Sequence, residues 1–182
     1  MAPVLPPAVG CVSLTRSEAT NSYEVNANHN KPPHFCIVLP EEEIKGGNRY
    51  TITVELMNVI GQDGVNFGHP GVMYNVIDKS NFDFVYFRLH KQDICYQPGY
   101  VLKGSIIRTK EASCPNGSLS GGVWFTARVE VRSDKSVDIY LNNDLGTSLT
   151  AHHSTKARGG VLVQNSCQNI IQFRKFSLTD AI

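Results

Sequence analysis

The sequence lacks long apolar runs and an excess of charge of either sign. No stretch approaches the roughly 18 apolar residues that a membrane-spanning helix needs. The 17 Lys and Arg residues nearly balance the 16 Asp and Glu residues, which gives a formal net charge of +1. Such a chain creates no global field that attracts nucleic acid or an anionic membrane. We therefore expect neither a membrane span nor a nucleic-acid partner.

Helical periodicity is also missing, because no segment sustains an apolar stripe with a spacing of 3.6 residues. Apolar and polar residues instead alternate with a period of two, as in half-buried strands. The clearest example is a pair of strands at 125–131 and 137–141, joined by a polar turn at 133–136, with a polar loop predicted after residue 146. Further strands are predicted at 50–57, 72–77, 82–90, 100–108, 161–164 and 170–178, with an early one within 22–39. Roughly nine or ten strands favour an all-β fold, a two-sheet antiparallel jelly-roll sandwich.

The length of 182 residues suits one domain with a sizeable core. Residues 1–20 contain three prolines and show no periodicity, so they are predicted to be an N-terminal arm. The single β-sandwich domain is predicted over 21–182. The segment 82–90 is apolar on both faces, which predicts a central strand covered on both sides. The opening ten residues are too short and proline-rich for a secretory signal, so the signal of a secreted protein would be absent from this sequence.

Four segments carry a resemblance to a known family. They are GVMYNVIDKSNFDFVYFRLH, WFTARVEVRSDKSVDIYLNN, RGGVLVQN and FRKFSL. Together they resemble the concanavalin A-like lectin/glucanase superfamily, in particular its laminin G-like and keto-disaccharide-hydrolase-like branches. The resemblance extends over about 50–178 and implies a concanavalin A-like sandwich more strongly than any function. One departure is Asn143, where such families often have glycine, but asparagine also tolerates the left-handed backbone.

Five cysteines are present without any C-x-x-C spacing, which argues against a zinc site. We predict a disulfide between Cys95 and Cys114, because the chain between them follows an out-and-back path. Cys167 is predicted to pair with Cys36 or Cys11, while free buried thiols are the alternative. An acceptor sequon begins at Asn116, in a loop where a glycan would be accessible. Together these features favour an extracellular or secreted glycoprotein.

Catalytic patterns are absent from the sequence. Glycoside hydrolysis needs two carboxylates about 5 to 9 Å apart, and the E-x-D-x-x-E string of glucanases does not occur. Glu55, Asp83 and Glu130 each lack an acidic neighbour two positions away on their strands. No G-x-S-x-G elbow is present, and the adjacent His152 and His153 are predicted to lie in a solvated loop. We therefore expect no enzymatic activity.

A metal site is not predicted, although the resemblance implies that calcium is an alternative. Lectins and laminin G-like modules of this superfamily often hold Ca²⁺ with loop oxygens. The loop oxygens available here are those of Asp63, Asn66 and Asp78, but they form no dense acidic run. No cofactor is expected.

Aromatic and polar side chains on the predicted strands form the remaining candidate site. Sugar rings stack on aromatic faces while their hydroxyls take polar partners. We predict ligand binding by Tyr86, Arg88, Trp124, Arg128, Tyr140 and Asn142, the alternative being that the aromatics belong to the core, Trp124 first among them. The sequence thus favours a non-catalytic extracellular module that binds carbohydrate or a glycosylated partner. Two alternatives remain, a laminin G-like domain for protein adhesion, assembly or self-association, and a glycoside-active enzyme.

Overall fold

The structure is a computed structural model that describes residues 5–27, 35–40, 43–59, 69–88, 95–113, 121–164 and 170–180. These residues contain fourteen β-strands and no helix, and so no helix that could cross a membrane. The strands form two seven-stranded sheets in which every neighbouring pair is antiparallel. The predicted all-β, two-sheet antiparallel fold is therefore confirmed.

The first sheet has the strand order β1-β4-β13-β6-β7-β8-β9. Its strands are β1 (Ala8–Val9), β4 (Phe35–Val38), β13 (Gly160–Gln164), β6 (Pro70–Asp78), β7 (Asn81–Phe87), β8 (Tyr96–Leu102) and β9 (Ser105–Arg108). The second sheet has the order β12-β11-β10-β5-β14-β3-β2. Its strands are β12 (Asp144–Thr150), β11 (Ser136–Leu141), β10 (Phe125–Val131), β5 (Tyr50–Asn58), β14 (Ile170–Asp180), β3 (Ser22–Asn26) and β2 (Ser13–Ser17).

The main core lies between the two sheets. Alternate residues of β5 and β10 are fully buried while their neighbours are half-buried, as the period-two pattern predicted. Aromatic rings extend this core at one end of the sandwich, where the centroids of Phe87 and Phe125 are 5.5 Å apart. Burial of these alternating apolar faces is the main force that holds the sheets together.

A second buried cluster covers the outer face of the first sheet. Its aromatic members include Phe35, Phe84 and Tyr86. The alternate residues of β7, Val85 and Phe87, belong to the main core instead. The rings of Phe84 and Tyr86 are stacked with centroids 6.0 Å apart. Six of the seven residues of β7 are buried, which confirms the prediction of a strand covered on both faces.

Three elements differ from the sequence predictions. The polar loop predicted after residue 146 begins instead with the second half of the edge strand β12, which hydrogen-bonds to β11 through its backbone. The single strand predicted at 100–108 is the hairpin of β8 and β9, which turns at Lys103 and Gly104. Within the predicted N-terminal arm, residues 8–9 form β1 at the edge of the first sheet and residues 13–17 form β2 at the edge of the second.

A disulfide joins Cys11 to Cys36, with the two Cα atoms 4.7 Å apart. The prediction that Cys167 pairs with one of these two cysteines is therefore wrong, because β1 runs beside β4 and brings Cys11 and Cys36 together. Cys95 is disulfide-bonded as well. Its pairing with Cys114 stays a prediction, since Cys114 lies outside the described residues, as do Cys167 and the sequon at Asn116.

Candidate functional site

The six residues predicted to bind ligand lie on the outer faces of two different sheets. Tyr86 lies on β7 of the first sheet, and Arg88 directly follows the end of that strand. The other four, Trp124, Arg128, Tyr140 and Asn142, lie on or beside β10 and β11 of the second sheet. The sandwich core separates these two groups, so they do not form one site. The period-two pattern predicted which residues point outward, but strand alternation does not reveal which sheet a strand joins.

On the first sheet, Tyr86 is the centre of a polar group that we call the Tyr86 site. The ring is 1% exposed and belongs to the second buried cluster. It therefore cannot stack on a sugar as the sequence had predicted, and the alternative that the ring is core applies. Its hydroxyl oxygen instead accepts hydrogen bonds from Arg108 Nε at 3.0 Å and from Arg88 Nη2 at 3.4 Å. The hydroxyl is thus held between two guanidinium groups.

Three further contacts complete the Tyr86 site. Arg88 Nη2 donates to Gln97 Oε1 at 3.0 Å, and Arg88 Nη1 lies 2.5 Å from Glu111 Oε1. Gln97 Nε2 donates to the carbonyl oxygen of Thr109 at 2.9 Å, which fixes the amide orientation. The Tyr86 site therefore consists of Tyr86, Arg88, Gln97, Arg108 and Glu111.

Arg108 differs from Arg88 in its surroundings. The side chain of Arg88 is 14% exposed and paired with Glu111, whereas Arg108 is exposed and makes no ion pair with any described residue. Arg108 lines an open cavity of about 430 Å³ together with Gly104, Ser105 and Ile106. The site therefore carries one uncompensated positive charge beside a cavity.

On the second sheet, Arg128 and Tyr140 form a stacked pair. The guanidinium carbon of Arg128 lies 4.0 Å from the ring centroid of Tyr140, because the two residues face each other across β10 and β11. Arg128 Nε is also 3.5 Å from Glu130 Oε1, and the hydroxyl of Tyr140 donates to Glu130 Oε2 at 3.5 Å. Arg128 and Tyr140 thus both lie against Glu130, while Arg128 Nε has no hydrogen-bond partner among the described residues.

Trp124 and Arg174 form a similar stacked pair on the same face. Trp124 is half-buried rather than core, and the guanidinium carbon of Arg174 lies 4.1 Å from its ring centroid. Glu55 forms ion pairs with both Arg174 and Lys175, and these partners lower the pKa of its carboxyl group. Arg174 therefore covers one face of the Trp124 ring, and ligand binding by Trp124 stays a prediction.

Asn142 has a structural role in this fold. Its side-chain oxygen accepts a hydrogen bond from the backbone N–H of Thr126 at 2.9 Å. Asn142 and Asn143 form the turn between β11 and β12, with φ angles of 49° and 70°. Positive φ at both central residues is typical of the tight turns that connect antiparallel strands. The left-handed backbone expected at Asn143 is confirmed.

Sequence reasoning missed Gln97, Arg108 and Glu111. Gln97 and Arg108 come from β8 and β9, which the sequence did not separate into two strands. Alternation within 96–102 would have put Gln97 on the same face as Val101. The hairpin turn at 103–104 brings Arg108 back beside β8. The sequence could have placed Arg108 near Tyr86 only if this turn had been predicted.

The histidine pair lies in the connection between β12 and β13. His152 is exposed, but its ring stacks on Tyr100 with centroids 3.8 Å apart. His153 is only 7% exposed, and its Nε2 is 2.8 Å from the carbonyl oxygen of Val101. The predicted solvated loop is therefore wrong for His153, because its ring packs into the sandwich instead.

The loop oxygens considered for calcium are only partly described. The carboxylate of Asp78 accepts hydrogen bonds from the backbone of Ser80 at 2.7 Å and from Asn81 Nδ2 at 3.0 Å, so it caps the turn between β6 and β7. Asp63 and Asn66 lie outside the described residues. In the described part of the chain, no three His, Cys, Asp or Glu side chains come together as a metal site would require.

Comparison with solved structures identifies the fold class. No family model matches the sequence. The carbohydrate-binding module CBM66 from Bacillus subtilis superposes with a TM-score of 0.72 at 11% identity, covering 96% of each chain. The carbohydrate recognition domain of Emp47p superposes with a TM-score of 0.65 at 15% identity, covering 99% of this chain and 90% of the other. A candidate glycosyl hydrolase from Parabacteroides distasonis gives 0.56 at 10% identity, covering 92% and 90%.

These similarities confirm the predicted concanavalin A-like jelly-roll fold. At 10–15% identity they concern the fold alone.

Proposed function

We propose that this protein is a non-catalytic carbohydrate-binding module that binds glycan on the outer face of its first sheet, at the Tyr86 site. The names of the similar structures support a carbohydrate ligand, since two of them are a carbohydrate-binding module and a carbohydrate recognition domain. The observation that carries the proposal is the Tyr86 hydroxyl, held between Arg88 and Arg108 beside an open cavity.

The chemistry of the Tyr86 site suits sugar hydroxyls. Arginine presents several N–H donors in a fixed planar geometry, and amide and carboxylate oxygens accept hydrogen bonds. The second buried cluster supports Tyr86 from below, so little side-chain entropy is lost on binding. Such a shallow site predicts an affinity in the micromolar to millimolar range, about 4 to 8 kcal/mol.

A binding role fits the Tyr86 site better than hydrolysis does. None of the described residues that line the cavity beside Arg108 is a carboxylate. Glu111, the carboxylate of the site, is paired with Arg88. A glycosidase needs one carboxyl group that donates a proton and a second that attacks or activates water. The proposed module therefore holds a glycan without cleaving it.

An assembly role on the second sheet is less well supported. Protein-binding faces of this kind are expected to carry a broad apolar patch. The outer face of the second sheet instead carries ion pairs, including Arg132 with Asp138 at 2.5 Å and Arg174 with Glu55. The disulfide between Cys11 and Cys36 supports an extracellular or secreted location, because such bonds persist in oxidising compartments.

The test is a glycan array probed with the wild type, with and without calcium, and with two matched variants. Arg108→Gln removes the guanidinium at the Tyr86 site, and Arg128→Gln makes the same change on the opposite face. We expect Arg108→Gln to weaken glycan binding about 10- to 100-fold, since hydrogen bonds to a charged group contribute about 1.5 to 3 kcal/mol. Arg128→Gln should leave glycan binding unchanged.

Thermal unfolding of both variants checks that each is folded before binding is compared. Loss of binding in Arg128→Gln alone would place the glycan on the second sheet and contradict the proposed site. No binding of the wild type to any glycan on the array, or release of sugar from a bound glycan, would reject the proposed function.

A further inference from the structure

A second cavity of about 210 Å³ lies between the two sheets. Its wall includes Thr109, whose carbonyl oxygen accepts the hydrogen bond from Gln97 of the Tyr86 site, so the two positions are neighbours. The first sheet contributes residues of β6, β7 and β8 to its wall, and the second sheet contributes residues of β12. Its polar and aromatic lining consists of Tyr74, Asp83, Tyr100, Thr109, Thr150 and His152. Typical pockets for drug-sized ligands measure about 300 to 1,000 Å³, so this cavity suits a ligand of about one sugar ring.

A buried carboxylate lines this cavity. Asp83 is 1% exposed, because it points from β7 into the space between the sheets, opposite to Tyr86. Its oxygens accept hydrogen bonds from Asn75 Nδ2 at 2.9 Å and from the backbone N–H groups of His152 and His153 at 3.2 Å. Every hydrogen bond that Asp83 accepts from the described residues thus comes from an uncharged donor.

The charge of Asp83 is therefore poorly compensated. Burial raises the pKa of Asp83, and the hydrogen bond from Asn75, the nearby His153 and the backbone donors lower it by less. The His153 ring itself points to the carbonyl oxygen of Val101. A buried carboxylate that lacks a directly bonded cation favours a cationic group in the space beside it, since opposite charges attract strongly where water is excluded.

Aromatic rings and hydroxyl groups form the rest of the lining. Tyr100 is half-buried and stacks on the exposed His152 with an interplanar angle of 4°, so this pair lies where the cavity meets solvent. The side chains of Thr109 and Thr150 offer hydroxyl groups that donate and accept hydrogen bonds. An ammonium group and several hydroxyls on one small ring would match these partners.

We propose that this cavity binds an amino sugar, whose ammonium group pairs with Asp83 and whose hydroxyl groups contact Thr109 and Thr150. The cavity is distinct from the Tyr86 site, because Asp83 and Tyr86 point to opposite faces of β7. The protein thus has two glycan-binding positions of different chemistry. The amino-sugar site does not depend on the function proposed for the Tyr86 site.

The experiment compares binding of glucosamine and N-acetylglucosamine to the full chain by isothermal titration calorimetry at neutral pH. The two sugars differ in that acetylation removes the ammonium charge. We expect glucosamine to bind at least 10-fold more tightly, and Asp83→Asn to remove this preference. Asp134→Asn, at an exposed turn, is the matched control and should bind glucosamine like the wild type.

Three results would overturn the proposal. One is that wild type binds neither sugar, and another is that it binds both equally. The third is that Arg108→Gln loses glucosamine binding while Asp83→Asn keeps it, because the amine would then occupy the Tyr86 site. The comparison of the two sugars on the wild type decides the matter even if Asp83→Asn fails to fold. If Arg108→Gln loses binding on the glycan array but still binds glucosamine, the two binding positions are independent of each other.

Discussion

At the scale of single residues, Asn75 connects the two sheets. Its side-chain oxygen accepts hydrogen bonds from the Tyr50 hydroxyl at 2.7 Å and from the backbone N–H of Lys156 at 3.1 Å, while its Nδ2 donates to Asp83. The residue has a φ of 50° in a strand whose register shifts at this point. Regular alternation would put Asn75 on the outer face with Met73, but the irregularity turns it inward.

Replacing Asn75 by glycine separates the role of its side chain from that of its backbone. Asn75→Gly should lower the free energy of unfolding by about 2 to 4 kcal/mol, because buried Asp83 and Tyr50 each lose a hydrogen-bond partner. Asn143→Gly is the matched control, since Asn143 also has a positive φ but lies in an exposed turn. It should change stability by no more than about 1 kcal/mol. Urea denaturation measures both values, and an equally small change in both variants would contradict the role of the side chain.

At the scale of secondary-structure elements, Gly160 is the second glycine of the Gly-Gly pair and the first residue of β13. The strand β13 runs between β4 and β6. A Cβ atom at Gly160 would lie 2.3 Å from the carbonyl oxygen of Val38 and 2.9 Å from the Met73 side chain. Only a glycine therefore allows the three strands to approach this closely. The Gly-Gly pair was recognisable in the sequence, but the sequence did not show that Val38 and Met73 lie against it.

Substitution of Gly160 should destabilise the first sheet in proportion to side-chain size. Gly160→Ala is expected to cost about 1 to 3 kcal/mol of folding stability, because the added carbon clashes with backbone atoms that cannot move easily. Gly160→Asn should cost more. Gly104 is the control, since nothing lies within 4 Å of its Cβ position and its φ is +80°. There Asn should be tolerated better than Ala, because asparagine accepts the left-handed backbone. Chemical denaturation of the four variants measures their stability. Ala should be more stable than Asn at position 160, and Asn more stable than Ala at position 104.

At the scale of the whole molecule, the Cys11–Cys36 disulfide holds the segment in which the chain passes from the first sheet to the second. Cys11 lies between β1 of the first sheet and β2 of the second, and Cys36 is buried in β4. The bridge closes a loop with a sequence separation of 25 residues. The N-terminal residues are therefore tied to both layers of the sandwich.

Removing this bridge should weaken the entire fold. The double variant Cys11→Ala/Cys36→Ala is expected to lose about 3 to 4 kcal/mol of unfolding free energy, the loop-entropy value for this separation. Denaturation of the wild type and the variant, each with and without reducing agent, measures the loss. Reduction should destabilise the wild type more than the variant. Equal stability of the oxidised wild type and the variant would show that the bridge contributes nothing.

The sequence alone determined the all-β class, most strand positions and the two-sided burial of β7. These properties follow from local alternation and from turn residues such as Asn143, which act over a few positions along the chain. The tertiary structure alone decided that Tyr86 and Tyr140 belong to opposite faces of the sandwich, and that Asp83 points into a cavity. Those outcomes depend on pairing between strands far apart in sequence, and period-two alternation carries no information about which strands become neighbours.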